Sequence, residues 1–170
     1  MTTLLVALAL TAALVMAVAL WLVATANRLD RLHVRMDAGW AALDAALARR
    51  AVVARTVAAS AIEGEEAGSL RVAADAAESA PRPDREPAEN ELTRRLADVD
   101  RARLPAGLAD ELTDAEERVI IARRVYNDAV RDTLALRRRR RVRYFRLAGT
   151  APRPEYFEIA EPDLTADRSP

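Results

Sequence analysis

Between Leu4 and Ala26 the chain carries no charged side chain, and Thr11 and Thr25 are its only polar ones. These 23 residues, at a helical rise of about 1.5 Å, span roughly 34 Å, a little more than the ~30 Å hydrocarbon core of a bilayer. The run predicts one membrane-spanning helix, with residues 1–27 as anchor, and whatever follows must fold while tethered to it. A cleaved signal peptide competes, because Ala24-Thr25-Ala26 has the small-x-small form of a cleavage site. Against cleavage, no Lys or Arg precedes the run, which also exceeds the ~7–15 apolar residues usual in a signal.

Arg28, Arg31 and Arg35 follow the run directly, whereas only the α-amino group precedes it. Flanking positive charge stays on the cytoplasmic side during insertion, so a plasma-membrane protein with its N-terminus outside and its body in the cytoplasm is expected. Ala9, Ala13 and Ala17 repeat every fourth residue, a spacing that permits close approach of two membrane helices. Homo-oligomerisation is left open on that pattern, because Ala is abundant throughout.

Beyond the anchor, periodicity is helical everywhere. Leu29, Leu32, Met36, Trp40, Leu43, Leu47, Ala54 and Val57 form one stripe without a proline, which predicts a helix over 28–62 running on from the membrane segment. Asp37, Asp44, Arg49, Arg50 and Arg55 read as solvated positions beside it, and the lone His33 as a surface or core residue. Gly64 and Gly68 predict a bend, followed by a helix over 69–80. The prolines between Ala80 and Pro87 predict a loop, and Leu92, Leu96 and Val99 an inward face on a helix over 88–103.

The last predicted helix, 108–147, has a heptad-like seam through Leu108, Leu112, Ala115, Val119, Ala122, Tyr126, Ala129, Thr133 and Leu136. Thr113 and Glu116 have capping-box spacing that would start it there. The fold expected is all-α: a single-pass transmembrane helix continuing into an antiparallel bundle of about four helices over 28–150, with an extended and disordered tail over 151–170. In that tail Tyr156 and Phe157 are candidates to clip onto the bundle.

The chain has 26 basic and 26 acidic residues, and every basic one is Arg. With net charge balanced, only local clusters can recruit a charged partner. One stands out: Arg137, Arg138, Arg139, Arg140, Arg141, Arg143 and Arg146, with no acid between Asp132 and Glu155. Three readings compete. The cluster is a helix C-terminus neutralised by Glu155, Glu158, Glu161 and Asp163 folding back, or an anionic-lipid site near the bilayer, or, ranking last, an unspecific nucleic-acid patch. No cysteine, phosphate-binding glycine loop, zinc spacing or nucleophile elbow is present. Neither catalysis nor a cofactor is expected, and the partners expected are membrane lipids and other envelope or membrane proteins.

Four features then assemble: the apolar N-terminal segment, Asn27-Arg28-Leu29 opening a helix that carries Asp37 through Asp44, the stretch EERVIIARRVYNDAV at 116–130, and EYFEI at 155–159. Together they resemble the LemA family of bacterial membrane-anchored helical proteins over most of residues 1–160. The most specific match is Ala122 to Val130. The resemblance implies a helical bundle behind one anchor, a cell-envelope location and no established enzymatic activity. The chain departs from the family pattern after Arg50 and after Asn127, as a divergent branch would.

Overall fold

A computed structural model describes residues 1–145 and 152–161. Every regular element among the described residues is a helix. The α-helices are α1 (Thr2–Ser60), α2 (Gly64–Ser79), α3 (Arg85–Ala97), α4 (Ala106–Arg137) and α5 (Arg140–Tyr144), with short 3-10 turns at Arg82–Asp84 and Arg101–Arg103. The chain divides into two compact units.

The first unit comprises Met1–Asp37 and Asp128–Glu155. Its part of α1 begins with the apolar run, which is uncovered: Leu4, Leu8, Leu14 and Leu20 are all more than 60% exposed. The run is long and apolar enough to cross a membrane. Its two hydroxyls are satisfied within the helix, Thr11 donating to the Ala7 carbonyl and Thr25 to that of Trp21, each at 2.8 Å. Such internal bonds are what a helix surrounded by lipid requires. Past the run, Leu29 and Leu32 form a small cluster with Leu136 of α4 and Val142 of α5.

The second unit comprises Ala38–Asn127 and the segment from Tyr156 onward. Its core collects Ala51, Val53, Ala54 and Val57 of α1 with Leu70, Ala74 and Ala77 of α2, Leu92 and Leu96 of α3, and Leu112 and Ala115 of α4. Alanine predominates, so each contact buries little area, and tight approach of backbones has to substitute for bulk. Gly39 shows this: a Cβ built on it would lie 3.3 Å from the Tyr126 Cα.

Several local expectations change. The bend lies at 61–63, ahead of Gly64, which takes φ +74 at the start of α2, and Gly68 lies within that helix. The proline loop is shorter than expected, because Arg82–Asp84 makes a turn and α3 starts at Arg85. Thr113 is no cap: α4 begins at Ala106, just after Pro105, and the Thr113 hydroxyl donates back to the Ala109 carbonyl. Glu116 instead pairs with Arg101 at 2.7 Å and is 1% exposed. The last helix breaks at Arg138 and Arg139, where consecutive arginines place like charges at helical neighbour spacing.

Arg50, expected in solvent, is fully buried and bonds Glu89. In the terminal segment Phe157 and Ile159 are buried, whereas Tyr156 is exposed. Residues 162–170 and Asp163 with them lie outside the described residues.

Candidate membrane-facing site

Within the first unit, α4 and α5 run back along α1 toward the apolar run. Asp132 pairs with Arg35 at 3.5 Å, Leu136 and Val142 pack with Leu29, and Phe145 meets Trp21 edge to face with ring centroids 6.3 Å apart. As the chain advances from residue 132 to 145, its partner on α1 recedes from residue 35 to 21. The arginine cluster is thus brought to the end of the apolar run.

The cluster members differ in what they do. Arg137, at the end of α4, is half-buried and donates to the Pro152 carbonyl at 2.7 Å, tying down the chain beyond α5. Arg138 and Arg139 occupy the turn between the helices, Arg140 and Arg143 lie on α5, and these four are exposed. Arg141 is within α5, and Arg146 lies outside the described residues. Arg140, Arg143, Tyr144 and Phe145 line an open hollow of about 740 Å³.

Two of the tail carboxylates lie against arginines of α4 outside the cluster. Glu158 and Glu161 pair with Arg123, and Glu161 also lies 3.9 Å from Arg124. The aromatic component of the site went unread in the sequence, although Val142 and Phe145 stand three apart among the arginines and so share one helix face. Val142 turns to Leu29, and Phe145 to Trp21.

The second unit holds a different constellation. Arg82 places its guanidinium 3.9 Å from the centre of the Trp40 ring and donates to the Tyr126 hydroxyl at 2.7 Å. Trp40 also stacks edgewise on Tyr126 and Phe157, each at 5.6 Å. Asn127 grips the Phe157 backbone from both sides, its Oδ1 accepting from the amide at 2.9 Å and its Nδ2 donating to the carbonyl at 3.1 Å. Glu86 and Asn90 accept from the amides of Glu158 and Ala160, each at 2.7 Å. These residues fasten the terminal segment.

Beside them, Arg50 donates to Glu89 at 2.6 Å, and Arg85 reaches Glu89 at 3.1 Å and Asp44 at 3.2 Å. On the outer face, Ala42, Ala45 and Ala46 of α1 and Ile121 and Val125 of α4 line a shallow apolar groove, with Arg49–Glu111 and Arg118–Asp114 pairs at its rim. No family model, curated protein or solved structure matches the chain.

Proposed function

We propose that the chain is a membrane-tethered helical interaction protein of the cell envelope, a scaffold without catalytic activity, and a divergent member of the LemA family. In this reading residues 28–150 form an antiparallel helical bundle on the cytoplasmic side of the plasma membrane. The observation that carries it is the uncovered apolar run of α1, whose large side chains from Leu4 to Leu20 face outward, whereas the other described leucines are buried or partly buried. An exposed apolar surface of that extent is stable only when lipid or protein covers it. The charged-rimmed apolar groove beside Ile121 and Val125 supports a role in binding other proteins.

In-cell crosslinking before detergent extraction tests the reading. A specific protein partner is expected to co-purify, and recovery of uncrosslinked monomer alone would refute the scaffold role. Protease added to intact and to opened cells reads the side: the body should be cut only after opening.

A second reading is favoured by the Trp21–Phe145 contact. Because it brings the arginine cluster to the end of the apolar run, the cluster can engage the anionic leaflet, each cation contributing about 1 kcal/mol. In that case the chain organises lipid as well as protein.

A further inference from the structure

The geometry points to a phospholipid-headgroup seat formed by Arg140, Arg143, Tyr144 and Phe145 against Trp21, with the hydrocarbon boundary of the bilayer at Trp21 and not at Ala26. The seat rests on the membrane-anchor reading and adds to it a place, a depth and a ligand class, namely the phosphate of an anionic phospholipid.

The depth follows from two observations. Phe145 lies against Trp21, five residues before the end of the uncharged run, so a helix flanked by four exposed arginines descends into what composition alone assigns to the membrane. Arginines cannot enter hydrocarbon without large cost, so this contact must lie at the hydrocarbon boundary or on its headgroup side. The remaining apolar stretch, Leu4–Trp21, is 18 residues, or roughly 27 Å of helix, still close to one hydrocarbon thickness. Leu22 through Ala26 then lie in the headgroup layer.

The residue types match that depth. Trp and Tyr favour the interface because each has an apolar body and a polar edge, and Trp21, Tyr144 and Phe145 form a linked aromatic group with centroid spacings of 6.3 and 5.1 Å. Tyr144 is 82% exposed and Phe145 45%, a poor arrangement in water and a good one at a bilayer surface. Arg140 and Arg143 sit three apart on one face of α5, and neither pairs with an acid among the described residues. A guanidinium binds phosphate by two parallel donors, and the hollow the two arginines share opens beside the aromatic group. Val142, buried on Leu29, anchors α5 so that these side chains face outward.

The test uses the full chain in nanodiscs of phosphatidylcholine containing a minor fraction of phosphatidylglycerol. For depth, lipids carrying a nitroxide near the headgroup or deep in the acyl chain quench tryptophan emission, and W21F supplies the Trp40 background to subtract. Stronger quenching of Trp21 by the shallow label is expected; stronger quenching by the deep label would overturn the boundary. For the ligand, native mass spectrometry counts the phosphatidylglycerol retained per chain. R140Q/R143Q should lower its preference over phosphatidylcholine by roughly tenfold or more, while R138Q/R139Q keeps it. Equal loss in the two variants would mean a diffuse field and no seat. Displacement by millimolar inorganic phosphate would mean a free-anion site. Release of the wild-type chain from membranes by alkaline carbonate would refute the anchor itself, whereas an anchored chain lacking lipid preference refutes only the seat.

Discussion

Arg50 and Glu89 meet at 2.6 Å with neither side chain exposed, an ion pair enclosed in an alanine-rich core. Glu89 also takes Arg85 at 3.1 Å, and the Arg50 guanidinium is further held by the Thr93 hydroxyl at 3.2 Å, while its Nε finds no acceptor. Removing two charges from water costs several kcal/mol, offset here only because the pair is close and bonded on several sides. Such a pair fixes register between α1 and α3 more surely than it stabilises.

The asymmetry is measurable. Glu89→Ala leaves Arg50 buried without its counter-ion and should cost about 3–5 kcal/mol in urea unfolding of the detergent-solubilised chain. Arg50→Met combined with Glu89→Leu removes both charges and the unsatisfied Nε, so it should recover at least about 2 kcal/mol of that loss. A double variant no more stable than Glu89→Ala alone would show that the two charges are not coupled.

Gly39 governs how closely α1 approaches α4 in the second unit. A Cβ there would press on the Tyr126 backbone at 3.3 Å, and Tyr126 is held by Trp40 and by Arg82. Gly39→Ala gains up to about 1 kcal/mol of helix propensity and loses a comparable amount in displacement, giving little net change. Gly39→Leu has no such compensation and should destabilise by about 2–3 kcal/mol, read from the urea midpoint.

Much of the helical pattern was legible in the sequence. The stripe from Leu43 to Val57 and the seam residues Leu112, Val119, Tyr126 and Ala129 are buried because a 3.6-residue period leaves them no other face. Arg50 was misread by residue type: it stands three after Leu47 and four before Ala54, squarely on the stripe, and Glu89 stands three before Leu92 on the inner face of α3. Their positions in the helical period point inward, but pairing them required knowing that α1 and α3 are neighbours. The capping box failed for a related reason, since Glu116 had a long-range partner in Arg101 that spacing cannot show. The aromatic side of the membrane-facing site stayed hidden because Trp21 and Phe145 are 124 positions apart and join only once α4 runs back along α1.

Asn127 holds Phe157 by both of its amide atoms, and so fastens a segment that has no regular structure of its own. Asn127→Ala removes two bonds and leaves the Phe157 amide without its acceptor, at about 1–3 kcal/mol. The loss should be local. Hydrogen exchange at the Phe157, Glu158 and Ala160 amides should accelerate together, with exchange in α2 and α3 unchanged. Acceleration throughout the unit would make the segment part of the core and not a fastening upon it.

Glu91 accepts from Arg95 at 2.8 Å and also from Arg94, and these bonds, that of Arg95 first, hold its carboxyl below the usual carboxylate range. The sign of the pH effect follows. A carboxyl whose value is depressed on folding contributes stability wherever the unfolded chain would already be ionised, above about pH 4.3, and loses it as pH falls through the folded value. The group is at the surface and its bonds lie within one helix, so the effect is small and screened by salt. Glu91→Gln should be slightly less stable than the parent at neutral pH and low ionic strength. Thermal unfolding followed by circular dichroism should show that gap closing as pH is lowered below about 4 and shrinking in high salt. A gap that widened on acidification would place the carboxyl above its ordinary value and reverse the assignment of its partners.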